Sequence, residues 1–118
     1  MKHQHFDVET AGFYGAYWAC AGGSDCAVIA MIGDDPEDWL ARSAVKWLCG
    51  RGVNVLTMSP AKKDYGHHNY PLERVETAIS WLKANGNHKI GIAGASTTGT
   101  LALTAAAMFP DLTLTIAM

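Results

Sequence analysis

The stretch GIAGASTTGT, residues 91–100, decides how the chain is read. Its first residues complete an apolar, strand-length run, KIGIA (89–93), and its last open a segment, 97–109, that is apolar almost all round and rich in alanine. A strand therefore turns into a closely packed helix within a few residues of Ser96. Three chemistries use glycines at such a turn, and they ask for different residues.

A phosphate loop of the form G-x-x-x-x-G-K-[ST] is satisfied by Gly94 and Gly99, but Thr100 and Leu101 stand where a lysine and a metal-binding hydroxyl are needed. A dinucleotide fingerprint, G-x-G-x-x-G, has Ser96 at its middle glycine, and the following strand, LTLTIAM, brings no acidic residue to a ribose. The third reading is a tight strand-to-helix turn that presents Ser96 as a nucleophile, with small neighbours Gly94 and Ala95 before it and Gly99 after. The N–H of Thr97 and the helix N-terminus would face a developing oxyanion. Thr98 takes the place two after the serine where glycine is usual, and Gly99 follows one step later. The alternative without chemistry is a Gly/Ser helix cap.

Working outward, CAVIAMI (26–32) is a continuous apolar run expected as a strand covered on both faces, VNVLTM (53–58) is expected as a second buried strand, and LTLTIA (112–117) is a further strand. His5–Glu9 and Phe13–Cys20, joined at Gly12 and followed by the turn AGGSD, read as an antiparallel pair at a sheet edge. The segment DDPEDWLARSAVKWLCGRG is expected as a helix with Asp35 as N-cap, Pro36 at its first position and Leu40, Ala44, Trp47 and Leu48 on its core face. A second helix opens near Pro71, buries Leu72, Val75, Ile79 and Leu82, and ends at Gly86. Strands alternating with helices predict a three-layer α/β sandwich, mostly parallel, with right-handed crossovers and an antiparallel N-terminal edge pair.

The 118 residues, 49% hydrophobic, suffice for one core and one domain. The formal charge of −2 and the absence of a linear run of Lys and Arg speak against nucleic acid or an anionic membrane surface as partner. No apolar run is long enough to span a bilayer, and a cytoplasmic protein is the expectation. Cys20, Cys26 and Cys49 lack metal-site spacing and are expected as free thiols, with a Cys20–Cys26 hairpin disulfide as the alternative.

GASTTGTLALTAAA, the GDDPED turn, WLCGRGVNVL and PLERVETAISWLKANG, in that order, resemble an α/β-hydrolase. They are similar to the acyl-CoA thioester hydrolase / bile acid-CoA:amino acid N-acyltransferase C-terminal domain family. The resemblance implies Ser96 as nucleophile, an oxyanion hole made by the N–H of Thr97 and that of Gly33 or Asp34, an elbow framed by Gly94 and Gly99, and a small-molecule acyl ester or thioester as substrate. It implies neither an organic cofactor nor a metal. It also implies that the acid and the histidine follow the nucleophile in chain order, whereas His3, His5, His67, His68 and His88 all precede Ser96. Residues 1–118 are thus expected as the N-terminal portion of one α/β-hydrolase domain, inactive alone. His67 and His68, in the loop SPAKKDYGHHNY, are candidates for lining the pocket, with a substitute base oriented by Asp64 as the lesser alternative; a metal site from Asp64, His67 and His68 is not expected, because neighbouring histidines diverge. The competing reading is a non-catalytic binding module or a chain that associates with itself through an open sheet edge.

Overall fold

In the structure, a computed structural model, the described residues are 3–32, 35–58, 72–94, 102, 104, 105 and 108–117. The elements in chain order are β1 (His3–Phe6), α1 (Val8–Ala11), β2 (Gly15–Trp18), β3 (Cys26–Met31), α2 (Trp39–Cys49), β4 (Asn54–Met58), α3 (Glu73–Ala84), β5 (Lys89–Gly94) and β6 (Leu112–Ala117). The six strands form one sheet in the order β1-β2-β4-β3-β5-β6. Strands β4, β3, β5 and β6 are parallel, and β2 runs antiparallel to both β1 and β4.

The apolar runs become central strands because each has a layer on both faces. Alternation along the strands sends Ala27, Ile29, Met31, Leu56, Met58, Ile90 and Ile92 to one face, where they pack with Val75, Ala78, Ile79 and Leu82 of α3 and with Ala102 and Ala105. It sends Ala16, Trp18, Val28, Ala30, Val55 and Ala93 to the other, against Val45 and Leu48 of α2. The chain steps from β3 to β4 in one direction and from β4 to β5 in the other, so right-handed crossovers place α2 and α3 on opposite faces.

Strand β1 lies two residues earlier than its sequence reading, because Val8–Ala11 coils into a helical turn closed by Gly12 at φ 85°. Gly15, opposite Phe6 and Met58, sits where a Cβ would fall 2.5 Å from the Thr57 carbonyl oxygen, so no larger residue fits without backbone movement. Helix α3 buries Val75, Ile79 and Leu82 as expected, and Gly86 turns the chain at φ 89° just after its end.

Helix α2 departs from its expected cap and face. Asp38, not Asp35, is the N-cap, its Oδ1 accepting the N–H of Ala41 at 2.8 Å; Pro36 is buried in the turn before the helix. The face against the sheet is Ala41, Val45 and Leu48. That narrow face lets the helix lie close on Val28, Ala30 and Val55, and it leaves Leu40 43%, Trp47 57% and Trp39 74% exposed.

At the N-terminal ends of the parallel strands a buried polar network closes the sheet. Asn54 accepts the N–H of Cys20 at 2.9 Å and donates to the Ser24 carbonyl and to Asn87 Oδ1 at 2.9 Å. Asn87 in turn donates to the Leu82 carbonyl and to the Tyr17 hydroxyl. All three cysteines are free thiols, and burial, with Cys20 as a second cause, pushes the Cys49 thiol up.

Candidate active site

The parallel strands carry their carboxyl ends to one edge of the sheet, at Met31, Met58, Gly94 and Ala117. Gly94 is buried and in register with Met31 on one side and Ala117 on the other. The chain leaving β3 goes to the face of α2, whereas Ala102 and Ala105, which follow β5, pack on the face of α3. Two neighbouring strands whose following segments part to opposite faces leave a crevice between their ends, the position at which open α/β sheets bind ligands. Of the residues singled out in the sequence, Gly94 stands at that crevice. Ser96, Thr97, Gly99, Gly33, Asp34, Asp64, His67 and His68 lie outside the described residues.

The segment that follows β3 is anchored by groups that the sequence did not single out. Thr57 on β4, fully buried, donates its hydroxyl to the Pro36 carbonyl at 2.7 Å and accepts the indole N–H of Trp18 at 3.1 Å. Asp35 Oδ1 accepts the N–H of Glu37, and Asp38 Oδ2 accepts that of Asp35, so residues 35–38 form a compact turn. Glu37 then reaches across the sheet to β1: its two carboxylate oxygens meet Nε2 of His3 and Nδ1 of His5. His5 Nε2 also meets Asp7 Oδ1 at 3.1 Å, and the His3 ring stacks on Trp18 at 4.0 Å. The hydrogen bond from His3 is the main cause that holds the Glu37 carboxyl below its ordinary value, against an opposing effect of burial. Nearby, burial first and then the charges of Asp35, Glu37 and Asp7 push the Tyr14 hydroxyl up. The signal that could have revealed this strap is the His3-x-His5 spacing, which puts both rings on one face of a strand.

Other titratable groups stand away from the crevice. His88 precedes β5, and its N–H donates to the Asp25 carbonyl at the opposite edge of the sheet. Asp111, the acidic residue that follows Ser96, precedes β6 at that same far edge and pairs with Lys83 at 2.7 Å. His3 and His5 are on β1, four strand spacings from β5, about 19 Å at the usual interstrand distance. A cavity of about 630 Å³ lies between α3 and residues 108–111, lined by Glu76, Ile79, Phe109 and Asp111 among others, and not at the crevice. Among the described residues, no three His, Cys, Asp or Glu side chains converge as metal ligands, and no helix is long and apolar enough to cross a membrane.

No protein-family model and no curated protein sequence matches the chain. Solved structures do. A PEG-bound complex of a cold-adapted esterase from an Arctic intertidal metagenomic library aligns with TM-score 0.76 and 20% identity, covering 98% of this chain. The α/β hydrolase GrgF from Penicillium sp. sh18 aligns with TM-score 0.75 and 22% identity, again over 98% of this chain. The chain has the α/β-hydrolase fold. A zinc-bound structure of the cold-adapted esterase aligns with TM-score 0.72 and 21% identity. The present chain spans 59%, 44% and 57% of the lengths of these three hydrolase-fold chains, respectively.

Proposed function

We propose that the chain carries the nucleophile-bearing part of a serine hydrolase that acts on acyl esters or thioesters, with Ser96 as the nucleophile. The observation that carries the reading is the position of Gly94: β5 ends at the switch-point crevice, and the serine follows two residues later. The neighbouring ends of β3 and β5, in register at Met31 and Gly94, support an oxyanion hole drawn from both following segments. The N–H of Thr97 and that of Gly33 or Asp34 are its donors.

In this mechanism Ser96 Oγ attacks the acyl carbonyl, a histidine takes its proton, and the same histidine passes that proton to the alkoxide or thiolate as its bond to the acyl carbon breaks. Water then attacks the acyl-enzyme and gives its proton to the neutral histidine, which returns it to Ser96 Oγ as the acid leaves. Asp111 and His88 are at the wrong edge, and His3 and His5 are committed to Glu37. The base is therefore His67, His68 or a histidine outside these residues. The second choice agrees with the resemblance to acyl-CoA thioester hydrolases, in which the acid and histidine come later in the chain, and the 118-residue chain alone is then nearly inactive. A small-molecule acyl substrate and a cytoplasmic setting complete this reading.

A second reading is favoured by β6, whose outer edge is unpaired among the described residues: the chain adds a strand there from a second copy. Light scattering across a concentration series distinguishes the two, since the hydrolase reading requires no change in size.

The test is intact-mass analysis after incubation with a fluorophosphonate, with and without imidazole to replace a missing base. A single slow adduct, accelerated by imidazole and abolished by Ser96→Ala, is the expected result. No Ser96-dependent adduct in either condition contradicts the proposal.

A further inference from the structure

The outward face of α2 is built for an anionic surface, and we propose that it docks the protein on an anionic lipid bilayer. At 100° per residue, Trp39, Leu40 and Trp47 fall within an arc of about 100° on the side of the helix away from the sheet. All three are exposed, and two of them are among the largest side chains available. Arg42 and Lys46 flank this arc along the helix, and Arg51 follows its end with its guanidinium 4.8 Å from the centre of the Trp47 ring.

The charge on this face has one sign. No Asp or Glu occurs from residue 39 to residue 53. The nearest carboxylates are committed elsewhere: Asp38 caps the helix, and Glu37 is held by His3 and His5. Among the described residues, Arg42, Lys46 and Arg51 pair with no carboxylate; Arg42 stacks on Trp18 and donates Nε–H to the Glu37 carbonyl. The sequence spaces these cations four and five residues apart, so no linear run announces them, and the helix gathers them. Beside them a cavity of about 290 Å³ is lined by Trp18, Arg42, Val45 and Lys46, with two cations over apolar walls.

An acidic peptide would share the charge complementarity, but the exposed apolar groups, Trp39, Leu40 and Trp47, lie on the outer arc of α2 and do not line the cavity at Trp18, Arg42, Val45 and Lys46. Tryptophans settle at the headgroup level of a bilayer, where the ring is half in hydrocarbon, and neighbouring Lys and Arg meet lipid phosphates. Arg51 places one such cation at the exposed Trp47 ring. The inference rests on α2 alone and does not depend on the role of Ser96.

The experiment is co-sedimentation of the full chain with phosphatidylcholine vesicles containing about one-third phosphatidylserine, with tryptophan emission recorded in parallel. Trp18 is buried and Trp81 partly so, so a blue shift reports Trp39 and Trp47. The expected result is binding that needs phosphatidylserine, weakens as salt screens the cations, and falls about tenfold or more in Lys46→Glu/Arg51→Glu and in Trp39→Ser/Trp47→Ser. The charge variants alter exposed side chains and leave the core face of α2 intact. Four results overturn the proposal: no binding, equal binding to pure phosphatidylcholine, binding that both double variants retain, or a concentration-dependent dimer that Trp39→Ser/Trp47→Ser abolishes. The last would assign the face to a second copy.

Discussion

The hydroxyl of Thr57 donates to the carbonyl of Pro36 at 2.7 Å, joining the C-terminal end of β4 to the turn that follows β3. The same oxygen accepts the indole N–H of Trp18. Thr57→Val keeps the shape and removes both bonds, leaving a buried donor and a buried acceptor without partners. A loss of about 2–3 kcal/mol is expected in urea unfolding, with faster amide exchange at residues 35–38 than elsewhere. An unchanged midpoint would mean that the turn is held by other contacts.

Glu37 carries the pH dependence of the strap to β1. Its folded value is lowered, chiefly by the hydrogen bond from His3, so the stabilisation is present above the ordinary glutamate value of about 4.3 and is lost as pH falls through the lowered folded value. The carboxylate is partly exposed, and Glu37→Gln is expected to cost no more than about 1 kcal/mol at neutral pH. Urea midpoints of the two proteins should converge towards acid. A difference that persists at low pH would show that the ion pair is not its source.

The Asn54–Asn87 pair stabilises the edge of the sheet opposite the crevice. Asn87→Ala strips Asn54 Nδ2 of one acceptor and the Leu82 carbonyl of one donor, at an expected cost of about 2 kcal/mol. Fluorophosphonate reactivity at Ser96 should not change while the protein remains folded. A loss of labelling in the folded variant would indicate that the two edges are coupled.

Gly15 offers a steric test of the β1-β2-β4 register. Gly15→Ala places a methyl 2.5 Å from the Thr57 carbonyl oxygen and is expected to destabilise by about 1–3 kcal/mol, read by thermal melting. A neutral result would require a looser register than Gly15 opposite Met58.

The parallel strands were legible from their apolar content: 26–32 is apolar throughout and 53–58 and 89–93 mostly so, as strands covered on both faces require, while 112–117 alternates Leu with Thr before Ile116 and Ala117. Helix α3 was legible from its period. Helix α2 was misread because two apolar faces compete in it: the larger side chains Leu40 and Trp47 suggested the core, whereas the sheet selects Ala41, Val45 and Leu48. Asp38 outcompetes Asp35 as cap because the turn at Pro36, fixed by Thr57, delays the helix by three residues. The strap from Glu37 to His3 and His5 joins groups more than thirty residues apart: the His3-x-His5 spacing marks two rings on one face of a strand, but local pattern does not name Glu37 as their partner. At the candidate site, β5 ends at Gly94, one residue beyond the strand read over 89–93, while the anchoring roles of Thr57 and Glu37 required the sheet order.

The proposed role of Ser96 requires a strained strand-to-helix turn at the end of β5 rather than an ordinary helix cap. A high-resolution crystal structure of the chain tests it through the backbone of that one residue. The expected result is a positive φ at Ser96, with Oγ open to the crevice and the N–H of Thr97 directed at the same space. A Ser96 in extended conformation, its Oγ accepting a backbone N–H from the first turn of the helix, would contradict it and make the residue a cap.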